Sequence, residues 1–99
     1  MRVISKKTIK EFCEQQQFAD AEEPLKAWYA EAKSSVWTSW LDIKAKYGTA
    51  SILKGGRVVF NILGNKYRLV VKIEYKLGII FIRFVGTHKD YDKIDADEI

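Results

Sequence analysis

The fold of this chain is decided by residues 57–87, which read R-V-V-F-N-I-L-G-N-K-Y-R-L-V-V-K-I-E-Y-K-L-G-I-I-F-I-R-F-V-G-T. Apolar and polar residues alternate along much of this stretch, and a period of two is typical of β-strands. Two segments interrupt the alternation, Leu63-Gly64-Asn65-Lys66 and a turn around Gly78, with residue types that favour turns. The pattern predicts three antiparallel strands, over residues 57–62, over residues 67–75, and from residue 79 or 80 to residue 87.

The parity of each position sorts the side chains of these strands into two faces. The face expected against the core is apolar and contains Val58, Phe60, Ile62, Tyr67, Leu69, Val71, Ile73, Ile80, Ile82 and Phe84. The opposite face carries most of the charge and contains Arg57, Val59, Asn61, Arg68, Val70, Lys72, Glu74, Phe81, Arg83, Val85 and Thr87. Four-residue turns at both hairpins align the second face into two polar rows: Arg57, Lys72 and Arg83 in one, and Asn61, Arg68 and Thr87 in the other.

The half of the chain before this stretch predicts helices, and the chain is therefore expected to have an α+β fold. Ser5 is a candidate N-cap for the first helix, with Thr8 as the start of a competing capping box. Pro24 fits the first turn of a second helix, since proline needs no hydrogen-bond donor there. A third, shorter helix is expected to place three large side chains in the core: Trp37, Trp40 and Leu41.

Length and composition restrict the class of protein. The chain has 99 residues with 47% apolar residues, enough for one packed domain. A single Cys excludes an internal disulfide, and one Cys with one His argues against a zinc site. No apolar run is long enough to span a bilayer, and the first residues do not resemble a signal peptide. We therefore expect a cytoplasmic protein without a membrane partner.

The charge is concentrated in one part of the chain. Residues 54–89 contain eight Lys and Arg residues but a single acid, Glu74, whereas residues 90–99 contain five acids and one Lys. A basic segment of this density indicates a polyanionic partner, with nucleic acid as the first candidate. The alternative is a lysine-rich face that is simply solvated.

The row of Arg57, Lys72 and Arg83 favours anion binding. Three like charges side by side across neighbouring strands destabilise a free sheet, whereas an anion that bridges them removes the repulsion. Arginine suits phosphate because its planar guanidinium can donate two parallel hydrogen bonds.

A second polar cluster follows the last strand, where the sequence reads Thr87-His88-Lys89-Asp90-Tyr91-Asp92. Imidazole is the side chain that exchanges a proton near neutral pH without special tuning. Tyr91 lies three residues after His88 and shares its face if a helical turn begins here. Asp90 and Asp92 are candidates to orient the imidazole or to cap that turn. The alternative is a purely structural histidine.

Two motifs in these segments carry a family resemblance. Residues 60–68 have the form F-N-x-x-G-N-x-Y-R, and residues 87–92 have the form T-H-x-x-Y-D. Together they closely resemble the HigB family of type II toxin–antitoxin toxins, a branch of the RelE-like RNases. The resemblance extends upstream through Leu41-Asp42-Ile43-Lys44. It implies one RelE-like domain over residues 1–94, followed by a short acidic tail, residues 95–99.

The resemblance also implies a fold and an activity. The fold is a layer of N-terminal helices on a small twisted antiparallel sheet. The activity is that of an endoribonuclease that cleaves translated mRNA, typically on the ribosome, without a metal or other cofactor. A helix-turn-helix antitoxin of the HigA type is the implied protein partner.

The residues that match the motifs suggest roles in RNA cleavage. RNA cleavage by its own 2′-hydroxyl needs a general base, a donor to the phosphate and a general acid. Arg68 is the candidate that stabilises the phosphate charge, His88 the candidate acid or base, and Tyr91 its partner or a platform for a base. The candidate RNA-binding residues are Arg57, Asn61, Asn65, Lys72, Arg83 and Lys89. A lysine with a lowered pKa is an alternative proton carrier.

Two other functions fit the same basic face. One is an RNA-binding module without catalysis, which would bind RNA in a salt-dependent manner and leave its length unchanged. The other is a scaffold subunit whose basic face docks an acidic protein. Growth arrest by variants and mapping of RNA ends discriminate between these functions.

Overall fold

The structure is a computed structural model that describes all residues from Met1 to Ile99. Its helices are α1 (Lys6–Glu14), α2 (Glu22–Ser34), α3 (Trp40–Lys46) and the single turn α4 (His88–Tyr91). Its strands are β1 (Arg2–Ile4), β2 (Ser51–Ile52), β3 (Arg57–Ile62), β4 (Tyr67–Glu74) and β5 (Ile79–Thr87). Short 3₁₀ segments cover Gln16–Ala21 and Lys54–Gly56.

One five-stranded sheet in the order β1-β5-β4-β3-β2 forms the centre of the molecule. The predicted antiparallel strands are its middle, β3, β4 and β5. The short strand β2 adds antiparallel to β3 at one edge, and β1 adds parallel to β5 at the other. The α+β class is confirmed, and the parallel pair makes the sheet mixed rather than wholly antiparallel.

The helices begin where capping residues allow. Ser5 is the N-cap of α1, and its hydroxyl accepts a hydrogen bond from the Lys7 amide at 3.1 Å, so the alternative start at Thr8 is not used. Pro24 lies in the first turn of α2, behind two acidic residues that suit the helix dipole. None of these helices is both long and apolar enough to cross a membrane.

The prediction for α3 is wrong for two of its three large side chains. Trp37 is buried, but it precedes the helix. Trp40 and Leu41 are 48% and 61% exposed, and Ile43 is instead the buried residue of α3. A helix of seven residues makes two turns, and only one of its positions faces the core. The hydrophobicity of the other two therefore does not determine their burial.

The core lies between the helices and one face of the sheet. Its strand residues are those predicted by parity for β3 and β4, together with Ile80: Val58, Phe60, Ile62, Tyr67, Leu69, Val71 and Ile73. From the helical layer, Phe12 packs edge-on to Tyr67, and Trp28 packs edge-on to Phe60. Aromatic pairs of this geometry contribute roughly 1 kcal/mol each beyond area burial. Cys13 is half-buried against this core.

The predicted alignment is confirmed for the first hairpin and wrong for the second. Arg57 pairs with Lys72, as the four-residue first turn requires. Between β4 and β5, however, Lys72 pairs with Phe81 rather than Arg83, and Arg68 pairs with Gly86 rather than Thr87. The second turn spans residues 75–78, so the β4–β5 pairs next to it lie two positions away from the predicted pairs. The alignment then shifts by one residue between Val70 and Val71, and the pairs beyond that point lie one position away from the predicted pairs.

The shift is a β-bulge at Arg83, and it exchanges the faces of the residues that follow. Val71 pairs with Ile82 and Val70 pairs with Phe84, so Arg83 is the extra residue. Phe84 consequently lies on the face away from the helices, whereas Val85 is packed against the core. The predicted positions of Phe84 and Val85 are therefore reversed. We call the face away from the helices the open face.

Candidate active site

The two sequence motifs meet at one end of the open face. The His88 amide donates to the Lys66 carbonyl at 3.3 Å, which joins the start of α4 to the β3–β4 turn. The Thr87 hydroxyl accepts from the Asp90 amide at 3.1 Å and caps α4. Thr87 was predicted as part of a polar row, but it serves as a helix cap. The cap and the backbone bond place the side chains of α4 beside the turn.

Arg68 and Tyr91 are in direct contact. The Arg68 guanidinium carbon lies 5.8 Å from the centre of the Tyr91 ring, within the range of a cation–π interaction. Arg68 Nη1 also donates to the Asn65 carbonyl at 3.2 Å. These contacts use one N–H and one side of a half-exposed guanidinium. The remaining N–H groups are free to donate to a phosphate.

The β-bulge builds the support for Tyr91. Because the bulge moves Phe84 to the open face, its ring lies 6.5 Å from the Tyr91 ring. Gly86 pairs with Arg68, and a Cβ on Gly86 would lie 2.6 Å from the Phe84 ring. The absence of a side chain at Gly86 thus leaves the space that the Phe84 ring occupies. The sequence did not predict a role at the site for Phe84 or Gly86, and it predicted that Phe84 faces the core.

His88 is oriented by an acid from its own helix. Its Nδ1 lies 3.2 Å from Asp92 Oδ2, and both side chains are about half exposed or more. A carboxylate at Nδ1 leaves Nε2 free and sets the ring orientation. Of the two acids that the sequence offered for this role, the structure selects Asp92, whereas Asp90 contributes its backbone amide to the cap.

The remaining predicted RNA-binding residues are dispersed over the open face and its rim. Asn65 is exposed in the turn, Lys89 is exposed on α4, and Lys72 is half-exposed in the middle of β4. Asn61 pairs with Arg68 as predicted, but its side-chain amide donates to the Thr49 carbonyl at 3.2 Å. That bond holds the segment before β2 against β3.

The predicted row of three cations does not form. Arg83 is on the bulge, with its guanidinium 5.5 Å from the Phe81 ring, and it does not pair with Lys72. Arg57 pairs with Lys72 but donates through Nε to the Ile99 carbonyl at 2.6 Å and through Nη2 to the Glu98 carbonyl at 3.3 Å. Long-range contact with the C-terminal segment was not predictable from strand parity.

A polar cluster that links the helical layer to the site was also not predicted from the sequence. Asp20, between α1 and α2, accepts hydrogen bonds from the Lys66 ammonium and the Tyr67 hydroxyl. The Lys66 and Tyr67 donors lower the pKa of Asp20, and the Asp20 carboxylate raises the pKa of Lys66. Burial and the same carboxylate raise the pKa of Tyr67. The cluster ties the helical layer to the turn that carries Asn65 and Arg68.

We expect the free energy of unfolding of Asp20→Asn to fall less steeply than that of the wild type as the pH is lowered. A carboxylate whose pKa is lowered on folding adds stability above its unfolded pKa, about 4, and this stability is lost as pH falls through the folded value. Chemical denaturation of both proteins from pH 7 to pH 2.5 measures this. The Asn variant should be the less stable at pH 7, and the difference should shrink below about pH 4. Glu74→Gln, at an exposed carboxylate without an ion-pair partner, is the control; equal slopes for all three proteins would contradict the expectation.

The site is an open surface. The three surface depressions of the molecule are lined by other residues, and Arg68, His88 and Tyr91 line none of them. The structure also brings no group of three or more His, Cys, Asp or Glu side chains into an arrangement that could hold a metal ion. This surface presents the guanidinium of Arg68, which can donate to an anion, and the side chains of His88 and Tyr91, which can exchange protons.

Comparison with known proteins gives one family. The model of the HigB toxin family, described as the RelE-like toxic component of a toxin–antitoxin system, matches residues 21–94. That range is well over half of the chain, and it includes both motifs and every predicted site residue. A search of the curated proteins found no match.

Proposed function

Since this chain belongs to the HigB family, the RelE-like toxic components of toxin–antitoxin systems, we propose that it is an endoribonuclease that cleaves translated mRNA. As such a component it has a cognate antitoxin. Its proposed physiological effect is to arrest growth by destroying messages during translation.

The observation that carries the proposal is the contact of Arg68 with Tyr91, beside the start of the helical turn that carries His88. Arg68 is held over Tyr91, and His88 is held by Asp92 on the same turn of helix as Tyr91. These residues come from β4 and from α4, 20 or more positions apart in the chain. A phosphate donor and a proton carrier beside an aromatic ring are the parts that RNA cleavage requires.

The proposed reaction is attack of a 2′-hydroxyl on the adjacent phosphorus. The base removes the 2′ proton, the new P–O bond closes a 2′,3′-cyclic phosphate, and the 5′-oxygen leaves with a proton from the acid. Arg68 donates to the non-bridging oxygens, where negative charge increases in the transition state. His88 carries one of the two protons, with Tyr91 as the partner or as a platform for the base. The requirement for a 2′-hydroxyl selects RNA over DNA.

The exposure of the site supports dependence on the ribosome. Arg68 is half-exposed and His88 is exposed, with no pocket around them that would bury a nucleotide or exclude water. Electrostatic stabilisation of a transition state is strongest where water is excluded. A large partner that presents mRNA and covers the open face would supply that enclosure, and the ribosome is such a partner for a message in translation.

The proposed antitoxin is a helix-turn-helix protein of the HigA type. The basic residues of the open face offer a surface that an acidic segment of the antitoxin would neutralise. An adjacent reading frame that encodes a small helix-turn-helix protein, and that restores growth when co-expressed, would support this partner.

Cleavage of one transcript in two states tests the proposed function. The purified chain is incubated with an mRNA that is either free or being translated in a reconstituted system, and the RNA ends are mapped. We expect cuts within the translated frame, with 2′,3′-cyclic phosphate and 5′-hydroxyl ends, and much slower cleavage of the free RNA. Equal rates in both states would indicate a free-standing RNase. Binding with no change in RNA length would contradict an enzymatic function.

A further inference from the structure

The acidic C-terminal segment lies against the open face of the sheet at Arg57. This segment, which we call the tail, is residues 95–99 and contains Asp95, Asp97 and Glu98. Arg57 donates to the Ile99 carbonyl at 2.6 Å and to the Glu98 carbonyl at 3.3 Å. The Glu98 carboxylate lies 3.5 Å from the Lys54 ammonium. Two of the cations of residues 54–89 are thus engaged by the tail.

The tail also has a defined conformation over this surface. The Glu98 amide donates to the Asp95 carbonyl at 3.0 Å, and the Asp97 amide donates to the Asp95 side chain at 3.1 Å. Ala96 and Ile99 are half-buried. Val59, two residues from Arg57, points away from the helices and is nevertheless only 3% exposed. Partial burial of both surfaces agrees with a segment that lies over the end of β3.

The position of these contacts matters for the candidate active site. Arg57 pairs with Lys72, and Arg68 precedes Lys72 by four residues along β4. The backbone positions of the two arginines are therefore about 13 Å apart along the strands, at roughly 3.3 Å per residue. An RNA strand that reaches from Arg68 toward Lys72 would meet the tail at the Arg57 end.

From these contacts we infer that the tail competes with RNA for the Arg57 end of the open face. The inference rests on the proposed function, because it concerns the regulation of the same surface. The tail supplies backbone carbonyls and a carboxylate where RNA would supply phosphate oxygens. The one ion pair of the tail, Lys54 with Glu98, joins two largely exposed side chains, so docking is weak and reversible. The free chain would then exist as a docked, weakly binding form and an undocked form that binds RNA more tightly.

Neutralising the tail in the full chain tests this competition. The variant Asp95→Asn/Asp97→Asn/Glu98→Gln is compared with wild type for binding to a short RNA whose 2′-hydroxyls are methylated, which prevents cleavage. A tail that is docked 70–90% of the time lowers the apparent affinity by about threefold to tenfold, and the variant should recover this factor. The control Glu11→Gln/Glu14→Gln/Glu23→Gln changes the net charge equally on the helices and should alter affinity less than about twofold. Equal gains in both triple variants, or no gain, would overturn the inference.

A second measurement follows the tail directly. Backbone amide signals of residues 97–99 are recorded by NMR while the same RNA is added to the wild-type chain. We expect these signals to move to positions typical of a free peptide as the signals of Arg68 and Lys72 report RNA binding. Tail signals that stay unchanged at saturating RNA would reject the competition and leave the proposed function intact. No binding of RNA by either the wild type or the neutralised variant would reject both.

Discussion

Replacing Arg68 with alanine is expected to lower the rate of mRNA cleavage by about a hundredfold to a thousandfold. This is the usual effect of removing one donor that stabilises charge in a transition state. The side chain is half-exposed, and its only hydrogen bond within the chain is to the Asn65 carbonyl. Loss of that bond and of the contact with Tyr91 costs about 1 kcal/mol of stability each at most, so the variant should remain folded.

Arg83→Ala is the matched control for this variant. Arg83 is also an arginine of the open face with its guanidinium against an aromatic ring, but that ring is Phe81, and the β-bulge separates it from the site. We expect Arg83→Ala to weaken RNA binding by a few-fold at most and to retain growth arrest. The measurements are growth after induction, end mapping of cellular mRNA and circular dichroism. If the Arg68→Ala protein is folded and still arrests growth like wild type, Arg68 is not part of the catalytic site.

Replacing His88 with alanine is expected to lower the cleavage rate by about a hundredfold to ten-thousandfold, the range for loss of a general acid or base. His88 is exposed, and its one side-chain partner is Asp92 at 3.2 Å. The helix cap at Thr87 uses backbone atoms of α4 and does not need the imidazole. Lys89→Ala is the comparison, since Lys89 is the next residue and is also exposed on the same turn; as a candidate RNA-binding residue it is expected to weaken RNA binding without a loss of this size in the cleavage rate.

The role of His88 can be assigned with a modified substrate. An RNA in which sulfur replaces the leaving 5′-oxygen at the mapped cleavage site needs no general acid, because a thiolate leaves without a proton. If His88 is the acid, the Ala variant should cleave this RNA at nearly the wild-type rate on translating ribosomes; if it is the base, the defect should persist. Tyr91→Phe then reports whether the Tyr91 hydroxyl carries the other proton or only the ring is needed. Cleavage of unmodified RNA at the wild-type rate by His88→Ala would remove His88 from the catalytic site and assign the proton transfer to another residue.

Local signals in the sequence were sufficient where neighbouring residues decide the structure. The cap at Ser5 and the first hairpin alignment depend on contacts within a few residues or across one turn of known length. The two motifs were recognisable because each is one short continuous stretch of the chain, residues 60–68 and residues 87–92. The sequence was therefore sufficient to predict Arg68, His88 and Tyr91 as candidate site residues, and their catalytic roles remain predictions.

The same reasoning could not align β5. Ile82, Phe84 and Val85 are all apolar, so hydrophobic alternation does not state which of them faces the core. One extra residue at Arg83 reverses the parity, and only packing against β4 and the helices decides where that residue is placed. The consequence concerns the candidate active site, because the reversal brings the Phe84 ring to 6.5 Å from the Tyr91 ring.

The residues alone indicate the fold class, the alignment of the first hairpin, and the segments that carry the candidate residues for phosphate and proton chemistry. Which of those charged side chains are available depends on the packed structure. Asp20 reaches Lys66 across 46 positions, and Arg57 reaches Ile99 across 42. Such pairs have no local sequence signal, because they form only when the packed core brings distant segments together. The sequence therefore shows where charged residues are concentrated, whereas the tertiary packing determines which partner each charged side chain has.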